Sequence, residues 1–218
     1  DFVKVMNALG IGVGLLDDER CCSIAMVSNG LIKAATKNAR HNVNIMEKAV
    51  EKTGAPIVGA SSTCIMTMRD EYPHLLGIDN SRVRDSLDLA TKFIFKKISE
   101  GKKLNFRKDF HARIAYHTPC HLERLGWEYF SIELLKMIPG VELTVLESNC
   151  CGIAGTYGFK KENYEVSQAI GRPLFEQIAA VGPDFVACDC ETCKWQIEMS
   201  TGVSVKHPVS VLAEAICD

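Results

Sequence analysis

Two pairs of adjacent cysteines, Cys21-Cys22 in ERCCSIAMVSNG and Cys150-Cys151 in LESNCCGIAGTYG, stand 129 positions apart in a chain of 218 residues. Adjacent cysteines rarely bond to each other, because neighbouring Cβ atoms do not reach disulfide geometry without distorting the peptide between them. Each pair therefore needs partners elsewhere. The same offset of 129 carries Cys64 onto Cys193, Thr63 onto Thr192, Ile24 onto Ile153 and Ala25 onto Ala154, and lays SSTC (Ser61 to Cys64) on CETC (Cys190 to Cys193) without a gap. The matches concentrate on cysteines, so an internal repeat is the economical reading. The second copy is complete: Cys120, 29 residues, Cys150-Cys151, 38 residues, then Cys190-x-x-Cys193. In the first copy Ser61 replaces the counterpart of Cys190, and the counterpart of Cys120 would fall before residue 1.

The cysteine groups follow strand-like segments. ARIAYH (Ala112 to His117) is rich in β-formers and leads to Pro119-Cys120; VELTVLE (Val141 to Glu147) alternates and leads to Cys150-Cys151; DFVACD (Asp184 to Asp189) leads to Cys190. Helical patterns are expected over residues 122–138, stopped by Pro139-Gly140, and over 160–181, bent at Gly171-Arg172-Pro173. Strand, cysteine, helix in alternation predicts an α/β fold of two tandem Rossmann-like repeats with parallel sheets, the first truncated at its N-terminus. Ligands of such sheets bind beyond the carboxyl ends of the strands, which is where all three cysteine groups fall. In the first copy GVGLLD (Gly12 to Asp17) and APIVGA (Ala55 to Ala60) read as strands, and closing helices are expected over 82–99 and 209–216. The expected division is residues 1–100, an incomplete first repeat; 101–111, a basic linker; and 112–218, the complete second repeat.

The rest of the sequence removes competing classes. A net charge of −2 gives no basic footprint for nucleic acid. The longest uncharged run, residues 53–68, is interrupted by Gly54, Pro56 and Gly59 and is too short for a spanning helix. The N-terminus has neither signal-peptide anatomy nor an initiator methionine, and reads as that of a fragment or processed product. No P-loop, Ser-His-Asp set or carboxylate pair stands out, and GIGVG (Gly10 to Gly14) precedes its strand, unlike a dinucleotide fingerprint. Ten cysteines, clustered and without an export signal, favour a metal or redox site over a disulfide framework, which stays open as an alternative.

Four thiolates close a tetrahedral zinc site or hold a cubane iron–sulfur cluster, so five are one more than either requires. That surplus points to an unusual cluster or to one cysteine that is not a ligand. Gly152, Gly155 and Gly158 would let backbone N–H groups approach the sulfurs. A single buried cysteine is ordinarily a small core hydrophobe, the expectation for Cys188 and Cys217. His117 and His121 flank Cys120 in HTPCH; each is a supporting donor, a ligand, or simply a polar loop residue. Trp127 and Trp195 read as packing residues, and the linker lysines as a solvated face.

The pattern Cys…CCG…Cys-x-x-Cys in tandem resembles the cysteine-rich CCG domain family, which includes a subunit of the heterodisulfide reductases. Within it, YHTPCHLERLGW, CCGIAGTYGFKKENY and CDCETCKWQIEMSTG are similar to the iron–sulfur subunits of anaerobic glycerol-3-phosphate dehydrogenases, over essentially the whole chain. The resemblance implies an electron-transfer subunit without catalysis of its own. It would take electrons from a flavin-containing subunit and pass them, with membrane-associated subunits, toward menaquinone in anaerobic respiration, at the cytoplasmic face of the bacterial inner membrane. Family members carry a preceding ferredoxin-like segment, so this sequence is expected to be a fragment without it. The family pattern carries over to Cys120, Cys150, Cys151, Cys190 and Cys193 as ligands of a 4Fe-4S cluster, noncubane in the heterodisulfide reductase relative, with zinc as the alternative. A weaker, incomplete site is left by Cys21, Cys22 and Cys64, because Ser61 replaces a cysteine and Ser23 the glycine of CCG. A structural zinc scaffold and a thiol–disulfide redox protein remain the rival readings. Exposed thiols oxidise, so air-handled material is expected to be empty.

Overall fold

A computed structural model describes residues 1–217. The chain forms two compact units, Gly14–Leu89 and Asp1–Val13 with the chain from Ala90 onward. The first helix, α1 (Phe2–Ala8), belongs to the larger unit and buries Val5 and Met6.

The smaller unit holds α2 (Ile24–Ser28), α3 (Ile32–Thr53), β1 (Ile57–Gly59), α4 (Ser62–Met66), α5 (Tyr72–Leu76) and β2 (Leu87–Leu89). Its core forms where α3 turns Ala35, Ala39, Val43 and Met46, at helical spacing, against Tyr72, Leu76 and Leu87. β1 and β2 pair in parallel, Ile57 opposite Leu87. Two expectations fail here. Gly12 to Asp17 is not a strand: it makes no ladder bonds, and Leu15 is 88% exposed. The helix expected over 82–99 begins only at Ala90. Before it, Leu87, Asp88 and Leu89 are all buried as a strand, because β1 offers them a ladder that a helix would forgo.

The larger unit continues with α6 (Ala90–Ser99), β3 (Ala112–Tyr116), α7 (Cys120–Leu125), α8 (Glu128–Lys136), β4 (Val141–Val145), α9 (Tyr164–Val181), β5 (Phe185–Ala187), α10 (Glu191–Thr201), β6 (Val205–Lys206) and α11 (Pro208–Ala215). The three strands expected from the cysteine-led segments all form, and the fold is α/β with parallel sheets. The helix expected over 122–138 is two, broken at Gly126 in the left-handed conformation. The one over 160–181 opens with a 3-10 turn at Lys161–Asn163 before α9, which runs through Pro173.

The four strands lie in the order β4-β3-β5-β6, all parallel. The chain steps from β3 to one side, then crosses back to place β5 on the other. That reversal makes a topological switch point between the carboxyl ends of β3 and β5, where open α/β sheets take their ligands. Arg113 and Asp184 tie the opposite ends of these two strands, the guanidinium donating to Asp184 Oδ1 and the Arg113 backbone N–H to Oδ2, both at 2.8 Å. Side chains alternate across the sheet. Ala115 and Val186 pack with Leu174, Ile178 and Ile197 of α9 and α10. Tyr116 points to the other face, where α6, α8 and α11 pack on one another.

Candidate metal centre

The three cysteine groups of the second copy meet at the carboxyl ends of β3, β4 and β5. Cys120 begins α7 just past β3; Cys150 and Cys151 follow β4; Cys190 caps α10 and Cys193 lies in its first turn. Cys151 Sγ and Cys193 Sγ are 3.3 Å apart. Cys188 Sγ lies within 4.8 Å of Cys193 Sγ, and the ionisation of Cys150 is tied to Cys151 and that of Cys193 to Cys190. Cys120 feels the sulfurs of Cys150 and Cys190. Cys151, Cys190 and Cys193 are buried, whereas Cys120 and Cys150 are exposed, so one edge of the group opens to solvent.

Crowding governs their ionisation. The Cys150 thiol is pushed well up by its contact with Cys151, then by burial. For Cys151 the Cys150 contact lowers the value, but Cys193 and burial outweigh it. Cys193 is lowered by Cys151 and raised further by Cys188, Cys190 and burial, ending well above an ordinary thiol. Cys120 is raised by desolvation, then by Cys150 and Cys190. Sulfurs this close cannot all ionise by themselves. A cation among them reverses the sign, since each thiolate then gains an attractive neighbour. The N-terminus of α10 adds partial positive charge beside Cys190 and Cys193. The donor set thus fits a thiophilic metal group and fits poorly as five free thiols.

The loop that carries Cys150 and Cys151 is clamped onto α9. Gly152 has φ +88°, and its N–H donates to Cys150 Sγ at 3.3 Å. Its carbonyl accepts from Ser167 Oγ at 2.9 Å, and Gln196 Nε2 donates to that hydroxyl at 2.9 Å. The approach is close because Gly171 has no side chain: a Cβ there would stand 2.6 Å from the Cys151 carbonyl oxygen. Gly158 serves the same packing, with space for a Cβ filled by Ser167.

Beneath the centre lies a buried polar cluster. Asp189 Oδ2 accepts from Tyr116 Oη at 2.7 Å, and Ser131 Oγ lies 2.9 Å from both Asp189 Oδ1 and Thr91 Oγ1. Burial raises the Asp189 carboxyl, while His207 and these hydroxyls act against that rise. His207 Nδ1 accepts from the Val209 N–H, leaving Nε2–H toward Asp189 at 4.0 Å. Asp189 separates Cys188 from Cys190, so this network fixes the backbone between them.

The smaller unit repeats part of this geometry. Ser23 takes φ +76°, and its N–H donates to Cys21 Sγ at 3.4 Å, as Gly152 does to Cys150. Ser61 caps α4 as Cys190 caps α10, with Cys64 inside the helix. Cys22 is raised far above an ordinary thiol by its contact with Cys64 and by burial. Asn42 braces the preceding loop, donating to the Arg20 carbonyl and accepting from its N–H, both at 2.9 Å. Ser23→Gly should change stability by less than about 1.5 kcal/mol. Relief of the left-handed backbone, about 1–2 kcal/mol, is offset by loss of the Ser23 hydroxyl bond to the Cys21 carbonyl, about 0.5–1.5 kcal/mol. Urea melts check this, and a change beyond twice that size would contradict it.

Several residues stand apart from expectation. Cys217 is exposed and not a core residue. Trp195 is half exposed, and Lys92 sits over the Trp127 ring. Cys188 is buried as expected but touches the centre through Cys193. Among the described residues, no helix is long and apolar enough to cross a membrane. Cys188, Asp189, Ser167 and Gln196 were not legible as site residues. The one local signal was a cysteine and an acid at the end of an apolar strand, in CDCETC.

Comparison with known proteins joins this geometry to a family. The sequence model of the cysteine-rich domain, CCG, matches residues 1–69 and 114–198. The chain belongs to the cysteine-rich CCG domain family. Among relatives of this CCG chain is a subunit of the anaerobic glycerol-3-phosphate dehydrogenase of Escherichia coli K12, 53% identical over 216 residues, which are 99% of this chain and 54% of that protein. Lactate utilization protein A of an Exiguobacterium strain is 31% identical, covering 75% of this chain and 68% of that protein. An uncharacterized iron–sulfur protein of Methanocaldococcus jannaschii is 26% identical, covering 99% and 43%. The CCG chain thus spans about half the length of the glycerol-3-phosphate dehydrogenase subunits it matches.

Proposed function

We propose that this chain is the CCG-domain part of an iron–sulfur electron-transfer subunit. It serves an anaerobic glycerol-3-phosphate dehydrogenase, between a flavin-containing subunit and menaquinone, at the cytoplasmic face of the inner membrane. By sequence its two CCG-type modules are residues 1–100 and 112–218, joined by 101–111, while residues 1–13 and 90–100 pack in the same compact unit as the second module. The observation that carries the reading is the convergence of thiols from three strand ends on one switch point. The names and identities of the relatives support the same assignment.

Cys120, Cys150, Cys151, Cys190 and Cys193 hold the group. A bound iron–sulfur cluster supplies a one-electron couple without proton or atom transfer to substrate. The chain's own residues do the rest. Burial of Cys151, Cys190 and Cys193 keeps water from the inner side. The Gly152 N–H withdraws charge from Cys150 Sγ, which favours the reduced form. The exposed edge at Cys120 and Cys150 faces outward, where a partner can approach within transfer distance.

The test is iron, acid-labile sulfide and zinc content of the full-length protein purified without oxygen, beside Cys150→Ser and Cys193→Ser. Iron with sulfide is expected in the parent and lost in both variants. Zinc without sulfide would overturn the electron-carrier reading in favour of a structural clasp.

A further inference from the structure

His117 and Cys188 are the first residues past β3 and β5, one on each side of the switch point. The ladder holds both in place: the His117 N–H donates to the Ala187 carbonyl and the Cys188 N–H to the Lys206 carbonyl, each at 3.0 Å. Alternation decides their direction. Tyr116 and Asp189 point to the α6 and α8 face, so His117 and Cys188 point the other way, to the face where Cys193 lies. A ring nitrogen of His117, Cys188 Sγ and Cys193 Sγ all lie within 4.8 Å of one another. A tetrahedral site with these donors needs separations of about 3.5–3.8 Å, from metal–nitrogen and metal–sulfur bonds near 2.0 and 2.3 Å. The three are nearly at ligand spacing.

His117 is 1% exposed, and neither of its ring nitrogens has a hydrogen-bond partner. A core histidine that merely packs still satisfies its nitrogens, because an unpaired buried polar atom carries a desolvation penalty. Cys188 is not wholly without contacts: its thiol reaches the Cys190 carbonyl at 3.7 Å, a weak bond that a metal could replace.

We propose that His117 is a direct nitrogen ligand of the metal centre at these strand ends, with Cys188 and Cys193 as the adjoining sulfur donors. This rests on the strand ends holding a metal, and adds an imidazole and a sixth thiol to the five cysteines of the CCG pattern. The shared chemistry is a borderline metal ion in a mixed nitrogen–sulfur environment, either an iron of a cluster or zinc.

The experiment uses the full-length protein purified anaerobically and reduced with dithionite, with pulsed EPR reading nitrogen coupling at the paramagnetic centre. The parent is expected to show a strong coupling from a bound nitrogen. Growth on 15N-histidine should convert it to the 15N pattern, a readout that needs no variant. His117→Ala should abolish the coupling while sulfide content falls less than twofold, and His121→Ala should leave it unchanged. Iron and sulfide present without any histidine coupling overturns this inference and leaves the electron-carrier reading standing. If zinc is bound instead, that reading falls. X-ray absorption then decides the inference: a nitrogen in the zinc shell, lost in His117→Ala, upholds it, and an all-sulfur shell overturns it. No metal of any kind overturns both.

Discussion

Gly152→Ala is expected to destabilise the metal-free protein by about 2–5 kcal/mol in urea unfolding. Two effects add. A residue with a Cβ at φ +88° stands in the left-handed region, which costs about 1–2 kcal/mol. The added carbon would also stand 2.0 Å from the Ser167 carbonyl oxygen, in the backbone of α9. That oxygen cannot swing away as a side chain can, so α9 or the loop must move, at about 1–3 kcal/mol for overpacking. Moving either one breaks the Ser167 bond to the Gly152 carbonyl and misplaces Cys150 and Cys151. Lower metal content should therefore accompany the lower stability. Ser167→Ala should not rescue the variant, because the clash is with backbone and not with the hydroxyl. A Gly152→Ala protein within 1 kcal/mol of the parent would show that the loop is far looser than its contacts imply. Ser23, in the same backbone conformation, is the internal contrast: no such backbone collision holds it, and its hydroxyl has a local acceptor.

Asp189→Ala should cost about 2–6 kcal/mol, since two buried hydroxyls lose their acceptor at about 1–3 kcal/mol each. Tyr116 Oη and Ser131 Oγ would keep their desolvation and lose their acceptor. Asp189→Asn should cost less, about 1–3 kcal/mol, since one oxygen still accepts while the new amide opposes a hydroxyl. Tyr116→Phe should fall in the same smaller range. The ordering Ala worse than Asn is the informative result. If both variants unfold together at the parent's urea midpoint, the cluster contributes nothing and its place beneath Cys188 and Cys190 is incidental. Urea melts at neutral pH measure all three.

Much of the architecture was legible because its signals are local. Ala112 to Tyr116, Val141 to Val145 and Phe185 to Ala187 carry β-formers bounded by turn residues, and each became a strand. The recurrence of CC, and of Cys64 as Cys193, at one offset picked out Cys150, Cys151 and Cys193 at the strand ends. Leu87 to Leu89 misled, because three residues of strand sit inside a longer apolar pattern that also fits a helix. Gly12 to Asp17 misled in the opposite sense: its composition suits a strand, but no neighbouring strand pairs with it.

What the amino-acid sequence determined by itself is therefore the three strands that lead to cysteines, the parallel α/β class and five of the thiols near the strand ends. Hydrophobic period and turn chemistry act over a few residues and leave their mark in the chain. The tertiary structure decided the strand order β4-β3-β5-β6, the clamp of Ser167 on Gly152, and the turning of His117 toward Cys188 and Cys193 while Asp189 turns away. Those depend on which strands pair and in what register. A shift of one residue reverses the face of every side chain, and no local pattern around His117 encodes the partner that sets it.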